Sequence, residues 1–404
     1  MSINVIKFGG TSVADIKKLK NILNIILEEL KHHKIIVVLS AMAGETNKLQ
    51  EFLNEFETQN SIESDLVLTS GEQVTIGLLS AALKNKGVKS IPLLGWQVPI
   101  ITDNNHEKAK ILNKNKNRIQ KYLENYDVIV LAGFQGISIE GNITSLGRGG
   151  SDTTAVAIAS AVDAERCDIY TDVDGVYTSD PRIVKNAKKL NKISYEEMLE
   201  FASLGAKVLQ TRSVEMAMRH GVTVQVLSSQ TGKTGTFLTK EDEKMENELV
   251  SGIAYSKDEA NVTLINILDK PGVATKIFTP LSEANINVDM IVQTGSENGN
   301  KINFTYTVSR KDLEQTISIM EKNKIDIEFE RIITNNSLAK VSIVGLGMRT
   351  HTGVANKMFS ALASKNINIH VISTSEIKIS VLIDENSIEK ALNSLHSTFE
   401  LDQK

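Results

Sequence analysis

The amino-acid sequence predicts an α/β domain with a mostly parallel sheet flanked by helices, followed by two small α+β modules. Over residues 1–245, apolar strand patterns alternate with helical patterns, an alternation that builds a parallel sheet covered by helices. Nearer the end of the chain, residues 272–288 (GVATKIFTPLSEANINV) recur without a gap as residues 353–369 (GVANKMFSALASKNINI). Such a repeat indicates two copies of one structural unit.

Five apolar runs are the candidate strands of the large domain, at residues 4–8, 35–40, 128–132, 168–171 and 222–227. After the first of them, Ser12 and Asp15 have the spacing of a capping box, and apolar residues then recur at helical spacing from Ile16 to Leu30. Ligands of open α/β sheets bind beyond the carboxyl ends of the strands. We therefore look for chemistry in the loops that follow these strands.

The two repeated segments lie in modules that we place at residues 260–335 and 338–404, beyond a charged linker at residues 239–248. Each copy begins with an apolar strand, at residues 262–267 or 341–344, makes a glycine turn, forms an amphipathic helix and returns to a strand.

Composition excludes several classes of function. The chain has 404 residues and a formal net charge of −4, whereas general nucleic-acid and membrane-surface binders need a basic excess. Its one cysteine, Cys167, cannot form an internal disulfide, which suits a reducing compartment. We find neither a signal-peptide pattern nor an apolar run of the ~20 residues that a membrane helix needs, so we expect a cytoplasmic protein with no nucleic-acid or membrane partner.

Two glycine-rich loops have the composition of anion sites. In KFGGTS (residues 7–12), Lys7 ends a strand and two glycines precede a helix start, so backbone amides and an ammonium can face one anion. In LGRGGSD (residues 146–152), glycines again border a helix start, and the planar guanidinium of Arg148 suits a carboxylate.

Two further loops are less specific. Residues 170–182 (YTDVDGVYTSDPR) alternate acids with Gly and Thr, but the glutamate expected at the twelfth position of a calcium loop is absent and no helix precedes it. A turn that contacts a nucleotide fits better. In TSGEQ (residues 69–73), Glu72 could hold a substrate ammonium, although a glutamate in the first turn of a helix is also typical of simple dipole compensation.

Together these loops resemble the monofunctional aspartate kinases, which have the amino acid kinase fold followed by two ferredoxin-like ACT regulatory domains. The resemblance covers nearly the whole chain. It rests on KFGGTSV (7–13), VLSAMAGET (38–46), SGEQ (70–73), VLAGFQG (130–136), GRGGSDT (147–153), TDVDGVYTSDPR (171–182), GAKVLQTRSVE (205–215), DKPGV (269–273) and STSEI (373–377).

The resemblance implies transfer of the γ-phosphoryl of ATP, with Mg²⁺, to the side-chain carboxylate of L-aspartate, the first step of lysine, threonine and methionine biosynthesis. Lys7, Asp152 and Arg148 would be catalytic, and no side chain is assigned as a metal ligand. The aspartate site would comprise Thr46, Glu72, Arg148, Gly149, Gly150 and Ser151. The ATP site would comprise Lys7, Phe8, Gly9, Gly10, Ser40, Thr171, Asp172, Tyr177, Thr178, Ser179, Asp180, Pro181, Arg182 and Lys207.

The resemblance also implies inhibition by lysine and/or threonine at the two modules, and a homodimer formed through them. The effector positions would be Asp269, Asn287, Val288, Asp289 and Gln293 in the first module, and Val354, Ala355, Asn368, Ile369, Ser375 and Glu376 in the second. A strand near residues 250–258 would complete the second module.

Two other functions remain as alternatives. One is a kinase for another amino acid, such as glutamate or an acetylated amino acid, since discriminating a single methylene is worth only ~1–3 kcal/mol. The other is an inactive amino-acid sensor. The combination of Arg148 with Glu72, which can bind the α-groups of a free amino acid, favours aspartate, and the retention of Lys7, Arg148 and Asp152 favours an active enzyme.

Overall fold

The computed structural model describes residues 2–205, 208–231, 233–246, 248–295 and 299–403, which fold into two units. The first unit comprises Met1–Val176 and Lys189–Asp242, and the second comprises Tyr177–Lys188 and Glu243–Lys404.

A mostly parallel eight-stranded sheet forms the centre of the first unit. Its strands are β1 (Ile3–Phe8), β2 (Lys34–Leu39), β3 (Ser90–Leu93), β6 (Val128–Ala132), β9 (Arg166–Thr171), β10 (Lys192–Ser194), β11 (Val224–Ser228) and β12 (Thr236–Thr239). A smaller sheet contains β4 (Ile100–Thr102), β5 (Ile111–Lys114), β7 (Gln135–Ser138) and β8 (Ile143–Ser145). The order of the large sheet is β10-β12-β11-β9-β1-β2-β6-β3, and only the β11–β12 pair is antiparallel. This confirms the predicted fold class and the five predicted strands.

Eight helices accompany these sheets in the described part of the first unit. They are α1 (Ile16–Glu29), α2 (Glu45–Asn54), α3 (Ile62–Leu68), α4 (Gly71–Asn85), α5 (Lys116–Asn125), α6 (Gly150–Ala161), α7 (Tyr195–Ser203) and α8 (Thr211–His220). The apolar stripe of α1, with Leu19, Ile22 and Ile26, packs with β1 and β2 in one buried cluster. The central strands are buried along almost their whole length, as expected for a sheet covered on both faces.

The predicted capping box before α1 is wrong. Asp15 caps this helix, because its carboxylate accepts the backbone N–H of Lys18 at 2.8 Å. Ser12 instead belongs to a short 3-10 turn, Gly10–Ser12, and its hydroxyl bonds to that of Ser229. The glycine pair lets the chain turn immediately after β1, so the helix starts later than the serine suggests.

The second unit contains one antiparallel sheet in the order β14-β15-β13-β16-β18-β17. Its elements are α9 (Glu243–Glu246), β13 (Gly252–Leu268), α10 (Val273–Glu283), β14 (Asp289–Gly295), β15 (Lys301–Val308), α11 (Leu313–Lys322), α12 (Lys324–Ile327), β16 (Arg331–Val344), α13 (Val354–Ala363), β17 (Val371–Thr374), β18 (Lys378–Asp384) and α14 (Ile388–Thr398). Short 3-10 turns lie at Arg310–Asp312, Leu346–Arg349 and Glu385–Ser387.

The sequence repeat is also a repeat of backbone conformation. Gly272 and Gly353 cap α10 and α13 with φ of 92° and 88°, and Asn285 and Asn366 follow these helices with φ of 56° and 52°. Left-handed positions of this kind favour glycine and tolerate asparagine. The repeated Gly and Asn therefore mark the start and end of the same helix in each module.

One long strand serves both modules. β13 pairs with β16 along nearly its whole length, from Gly252 opposite Val344 to Ile265 opposite Arg331, and its second part also pairs with β15, from Ala260 opposite Val308. The strand expected near residues 250–258 is the beginning of β13, where Gly252–Ser256 pair with Lys340–Val344 of β16.

The segment Tyr177–Lys188 differs from the expectation that residues 1–245 form one domain, because it packs with the second unit. Val184 joins the buried apolar cluster of the second module, and Ile253 donates its backbone N–H to the carbonyl of Thr178 at 2.7 Å. The hydroxyl of Thr178 also bonds to Nε2 of the buried His396, at 2.9 Å. These contacts join residues far apart in sequence, which a reading of local patterns does not detect.

One helical stretch among the described residues, Ile62–Asn85, has the length and apolar composition that could cross a membrane. Within its most apolar 18 residues, 50% are buried inside the protein, and core helices pass the same test.

Candidate active site

The carboxyl end of β1 carries an ion pair. Nζ of Lys7 lies 2.6 Å from Oδ1 of Asp152 in the first turn of α6, and both side chains are about one-tenth exposed. Lys7 pairs in register with Val38 of β2 and Ile169 of β9, so its backbone is fixed on both sides. The structure thus brings two of the three predicted catalytic residues together.

The loop after β1 comes close to its neighbours because it is built from glycine. A Cβ on Gly10 would lie 2.9 Å from the carbonyl oxygen of Ala41, closer than real Cβ atoms approach. Gly9 donates its N–H to the carbonyl of Tyr170 at 3.3 Å, and a Cβ there would lie 3.3 Å from Nζ of Lys7. The ring of Phe8 stacks on that of Tyr170, with centroids 4.8 Å apart.

Glu72, in the first turn of α4, is a buried carboxylate that is only half satisfied. Its Oε1 accepts the backbone N–H of Ala41 at 3.1 Å, whereas its buried Oε2 has no partner among the described residues. Burial raises the pKa of Glu72 from 4.5 to about 7, although the hydrogen bond from Ala41 opposes this. A carboxylate in this state is well suited to receive a cation.

Arg148 is the third predicted catalytic residue, and its side chain is exposed. In the described ranges no acid or hydrogen-bond acceptor pairs with its guanidinium, which leaves it available to a substrate. Gly149 caps α6 with φ of 73°, and Gly150 begins the helix. Ser151 and Asp152 follow, each 7% exposed, so the start of α6 contributes the predicted Gly149, Gly150 and Ser151 to one edge of the sheet.

Gly133 belongs to the site, although the sequence predicts no role for it. A Cβ at this position would lie 2.8 Å from Oγ of Ser151 and 3.0 Å from the carbonyl oxygen of Leu39. The end of β6 must therefore carry glycine for α6 to approach β2. A glycine immediately after a fully buried strand was the available sequence signal.

The other predicted contacts of the first unit also follow strands. Ser40 donates its N–H to the carbonyl of Phe8 at 3.2 Å, and Thr46 lies partly buried in the first turn of α2. The hydroxyl of Thr171 donates to the exposed Asp172 at 2.9 Å, and its carbonyl accepts from Ser229 at 3.3 Å. Ser40, Thr171 and Asp172 thus lie at or just beyond the carboxyl ends of β2 and β9, and Thr46 lies further along, in the helix that follows β2.

The remaining predicted nucleotide residues, Tyr177, Thr178, Ser179, Asp180, Pro181 and Arg182, belong to the segment that packs with the second unit. Asp180 forms an ion pair with the exposed Arg182 at 2.7 Å and accepts a hydrogen bond from the hydroxyl of Tyr255 at 3.2 Å. The Arg182 hydrogen bond holds the pKa of Asp180 below its usual range. Lys207 lies outside the described residues.

In the first module, two of the predicted effector residues line an open groove. Asn287 and Val288 border a volume of about 520 Å³ together with Phe278, Ser282, Asn285, Ile286 and Ile291. Asp289 is already paired, since its carboxylate lies 2.7 Å from Nζ of Lys340. Burial acts to raise the pKa of Asp289, but the contact with Lys340 outweighs it and the pKa is lowered. Lys340 also contacts Glu259 at 2.7 Å.

The other effector residues lie at turns and strand edges. Asp269 follows β13, and Gln293 is exposed on β14. Val354 and Ala355 open α13, while Asn368 and Ile369 lie between α13 and β17. Ser375 donates its backbone N–H to the carbonyl of Lys378 at 2.8 Å, and Glu376 lies 3.7 Å from Nε of Arg349.

Within the described ranges, no group of three or more His, Cys, Asp or Glu residues has the arrangement of a metal site. Mg²⁺ in phosphoryl-transfer enzymes is held mostly by substrate phosphates and one or two carboxylates, so such a group is not needed for it.

Comparison with known families places this geometry in context. Residues 2–228 match the amino acid kinase family, and residues 262–324 and 341–399 each match an ACT domain. An aspartate kinase of Pseudomonas putida is 49% identical over the whole chain and 98% of its own length.

Two solved structures of an aspartokinase are similar to this chain over 98% of its length. Escherichia coli aspartokinase III in complex with aspartate and ADP (R-state) is 27% identical, with a TM-score of 0.78 over 98% of this chain and 99% of that one. The same enzyme in complex with lysine and aspartate (T-state) is 26% identical, with a TM-score of 0.77 over the same shares.

Proposed function

The chain belongs to the aspartate kinases of the amino acid kinase family, with an amino acid kinase domain followed by two ACT domains, and we propose how its residues act. The reaction transfers the γ-phosphoryl group of ATP to the side-chain carboxylate of L-aspartate and yields 4-phospho-L-aspartate. This product supplies amino-acid biosynthesis, including lysine, threonine and methionine. The nucleophile is already ionised at neutral pH, so catalysis consists of positioning and charge neutralisation.

The observation that most supports aspartate as the substrate is the free buried oxygen of Glu72. One oxygen of this carboxylate accepts a hydrogen bond from Ala41, and the other has no partner among the described residues, so the carboxylate can pair with one cation. The α-ammonium of a free amino acid supplies it, whereas an N-acetylated amino acid has no such charge. Arg148, exposed and unpaired in the described ranges, then binds the α-carboxylate as a planar fork. Thr46, Gly149, Gly150 and Ser151 line the same pocket.

Lys7 neutralises the phosphoryl group as it is transferred. Its ammonium is held by Asp152 at 2.6 Å, beside the backbone of Gly9. An ammonium fixed in this way stabilises charge in the transition state without reorganising at the moment of reaction. Asp152 keeps Lys7 in place, and its carboxylate would be available to contact the Mg²⁺ that arrives with the nucleotide.

Nucleotide binding involves Phe8, Ser40, Thr171 and Asp172 of the first unit. This assignment is supported by the position of these four residues at the carboxyl ends of β1, β2 and β9, where α/β sheets bind ligands.

The two ACT domains bind an inhibitory end product, lysine, threonine or both. Support comes from the open groove beside Asn287 and Val288, which has room for a small zwitterion. Titration of kinase activity with lysine, with threonine and with both tests this regulation. A homodimer through the ACT domains, examined by light scattering, and a cytoplasmic location complete the proposal.

The reaction is tested by ATP-dependent formation of an acyl hydroxamate in the presence of hydroxylamine, which traps the acyl phosphate. We expect product with aspartate, and much less with glutamate or N-acetylglutamate. Product with N-acetylglutamate at the rate of aspartate would contradict the role of Glu72. No product with any of the three would leave an inactive amino-acid sensor.

A further inference from the structure

Arg212 forms hydrogen bonds that do not stabilise its own helix but reach two loops. It is the second residue of α8, where a positive charge opposes the helix dipole. In the described residues no carboxylate pairs with it. Instead its Nη1 donates to the carbonyl of Leu146 at 2.6 Å and its Nη2 to the carbonyl of Ala109 at 2.7 Å. One guanidinium thus joins the main chain of two loops.

The first of these loops carries Arg148. Leu146 directly precedes Gly147, where a Cβ would lie 2.7 Å from the carbonyl oxygen of Glu107, so the two loops touch through their backbones. On the other side of Arg148, a Cβ on Gly149 would lie 1.9 Å from Cγ of Gln210. Gln210 therefore covers Gly149 while Arg212 holds Leu146, and the main chain of Arg148 is fixed at both ends.

A buried acid secures the same loops from within. Asp65, which is fully buried, accepts hydrogen bonds from the hydroxyl of Ser145 at 2.5 Å and from the backbone N–H of Glu107 at 3.0 Å. It also lies 2.6 Å from Nδ1 of His106. Because Asp65 fixes residues 106–107, the hydrogen bonds of Arg212 join residue 146 to a loop that is itself held in place.

We infer that Arg212 is a positioning residue for aspartate binding, which acts on Arg148 through the main chain of residues 146–149. The inference rests on the proposed role of Arg148 as the ligand of the α-carboxylate. An exposed arginine on a glycine-flanked loop loses much conformational freedom when it binds a carboxylate. The two hydrogen bonds of Arg212 remove part of that freedom before the substrate arrives, and this lowers the KM for aspartate.

The substitution Arg212→Lys tests the inference, because lysine keeps the charge but cannot bridge two carbonyls with a planar fork. We expect kcat/KM for aspartate to fall at least about tenfold, mainly through KM. The KM for MgATP should stay within about twofold, since the changed loop contacts aspartate. Arg219→Lys, on the exposed last turn of the same helix, is the matched control and should leave both constants unchanged.

A double-mutant cycle separates positioning from general support of the fold. In an Arg148→Met background the group that Arg212 positions is absent, so Arg212→Lys should reduce kcat/KM for aspartate by less than about twofold. Equal losses in both backgrounds, or equal losses for aspartate and MgATP, would overturn the inference. If Arg148→Met itself leaves kcat/KM for aspartate unchanged, both the proposed role of Arg148 and this inference are wrong.

Gln210→Ala provides a second test that leaves Arg212 in place. Removing the cover over Gly149 should raise the KM for aspartate in the same direction and by a smaller factor, with circular dichroism confirming the fold. If Arg212→Lys fails to fold, this variant decides the matter, and an unchanged KM for aspartate would reject the positioning role of residues 210–212.

Discussion

Replacing Glu72 by glutamine removes the charge on which the assignment of aspartate depends while it keeps the size of the side chain. Burial raises the pKa of Glu72 from 4.5 to about 7, so ionising it in the empty site costs about 3 kcal/mol relative to water. The ammonium of bound aspartate offsets that cost, whereas the neutral amide of glutamine cannot pair with it. We therefore expect Glu72→Gln to lower kcat/KM for aspartate about 10²-fold.

The dependence on pH gives an independent measure of the same group. Below a pH of about 7 the carboxyl of the free enzyme is protonated, so kcat/KM for aspartate should fall about tenfold for each unit of pH, and Glu72→Gln should remove this fall. Stability should move in the opposite direction. Since the pKa of Glu72 is higher in the folded state than in the unfolded state, the wild-type protein loses stability as the pH rises from 4.5 to about 7, and the variant does not.

The assay is coupled kinase kinetics from pH 5.5 to 8.5 with saturating MgATP, combined with urea unfolding at pH 8. The variant should be slower with aspartate and more stable at pH 8 by about 1–3 kcal/mol. Glu124→Gln, on the exposed face of α5, is the matched control and should change neither property. A variant that keeps the pH profile of the wild type, or loses less than about threefold in kcat/KM, would refute the reasoning.

Three further predictions concern Lys7 and Asp65 in the first unit and His396 in the second. Lys7→Ala should lower kcat by at least about 10²-fold without loss of the circular dichroism signal, and near-normal kcat would contradict its role in neutralising the phosphoryl group. Asp65→Ala should lower the free energy of unfolding by about 3 kcal/mol in urea, because Ser145 and Glu107 lose a buried acceptor. Burial lowers the pKa of His396, so the second unit should lose stability as the pH falls below 6.5, the ordinary value for histidine. His396→Leu should reduce this dependence of stability on pH. An unchanged dependence would exclude His396 as its source.

Much of the fold follows from local patterns in the sequence. The five buried runs of the first unit become strands because their apolar residues are continuous, as in sheets covered on both faces. The two modules were predictable from the repeat, since Gly272 and Gly353 occupy positions where the left-handed backbone favours glycine.

The sequence predicted which loops form the candidate site, but not the distances between their side chains. Glycine, lysine and aspartate in KFGGTS and GRGGSD indicated an anion site, and the structure joins them through the Lys7–Asp152 ion pair. The free oxygen of Glu72 could not be predicted, because it depends on Ala41 binding one carboxylate oxygen and burial isolating the other.

Contacts between distant residues account for most of what the sequence did not reveal. Tyr177–Lys188 packs with the second unit through Thr178, His396 and Ile253, although it follows a strand of the first. Asp289 was predicted to bind an effector, and whether it does so depends on the ion pair that it already forms with Lys340. No local pattern reveals either partner.

A crystal structure with ADP and L-aspartate bound tests most directly whether the carboxyl ends of the early strands bring two anions together. We predict the β-phosphate against the ammonium of Lys7 and the amides of Gly9 and Gly10, with the aspartate ammonium on Glu72 and its α-carboxylate on Arg148. A diphosphate bound away from Lys7, or an aspartate whose ammonium does not contact Glu72, would contradict the account.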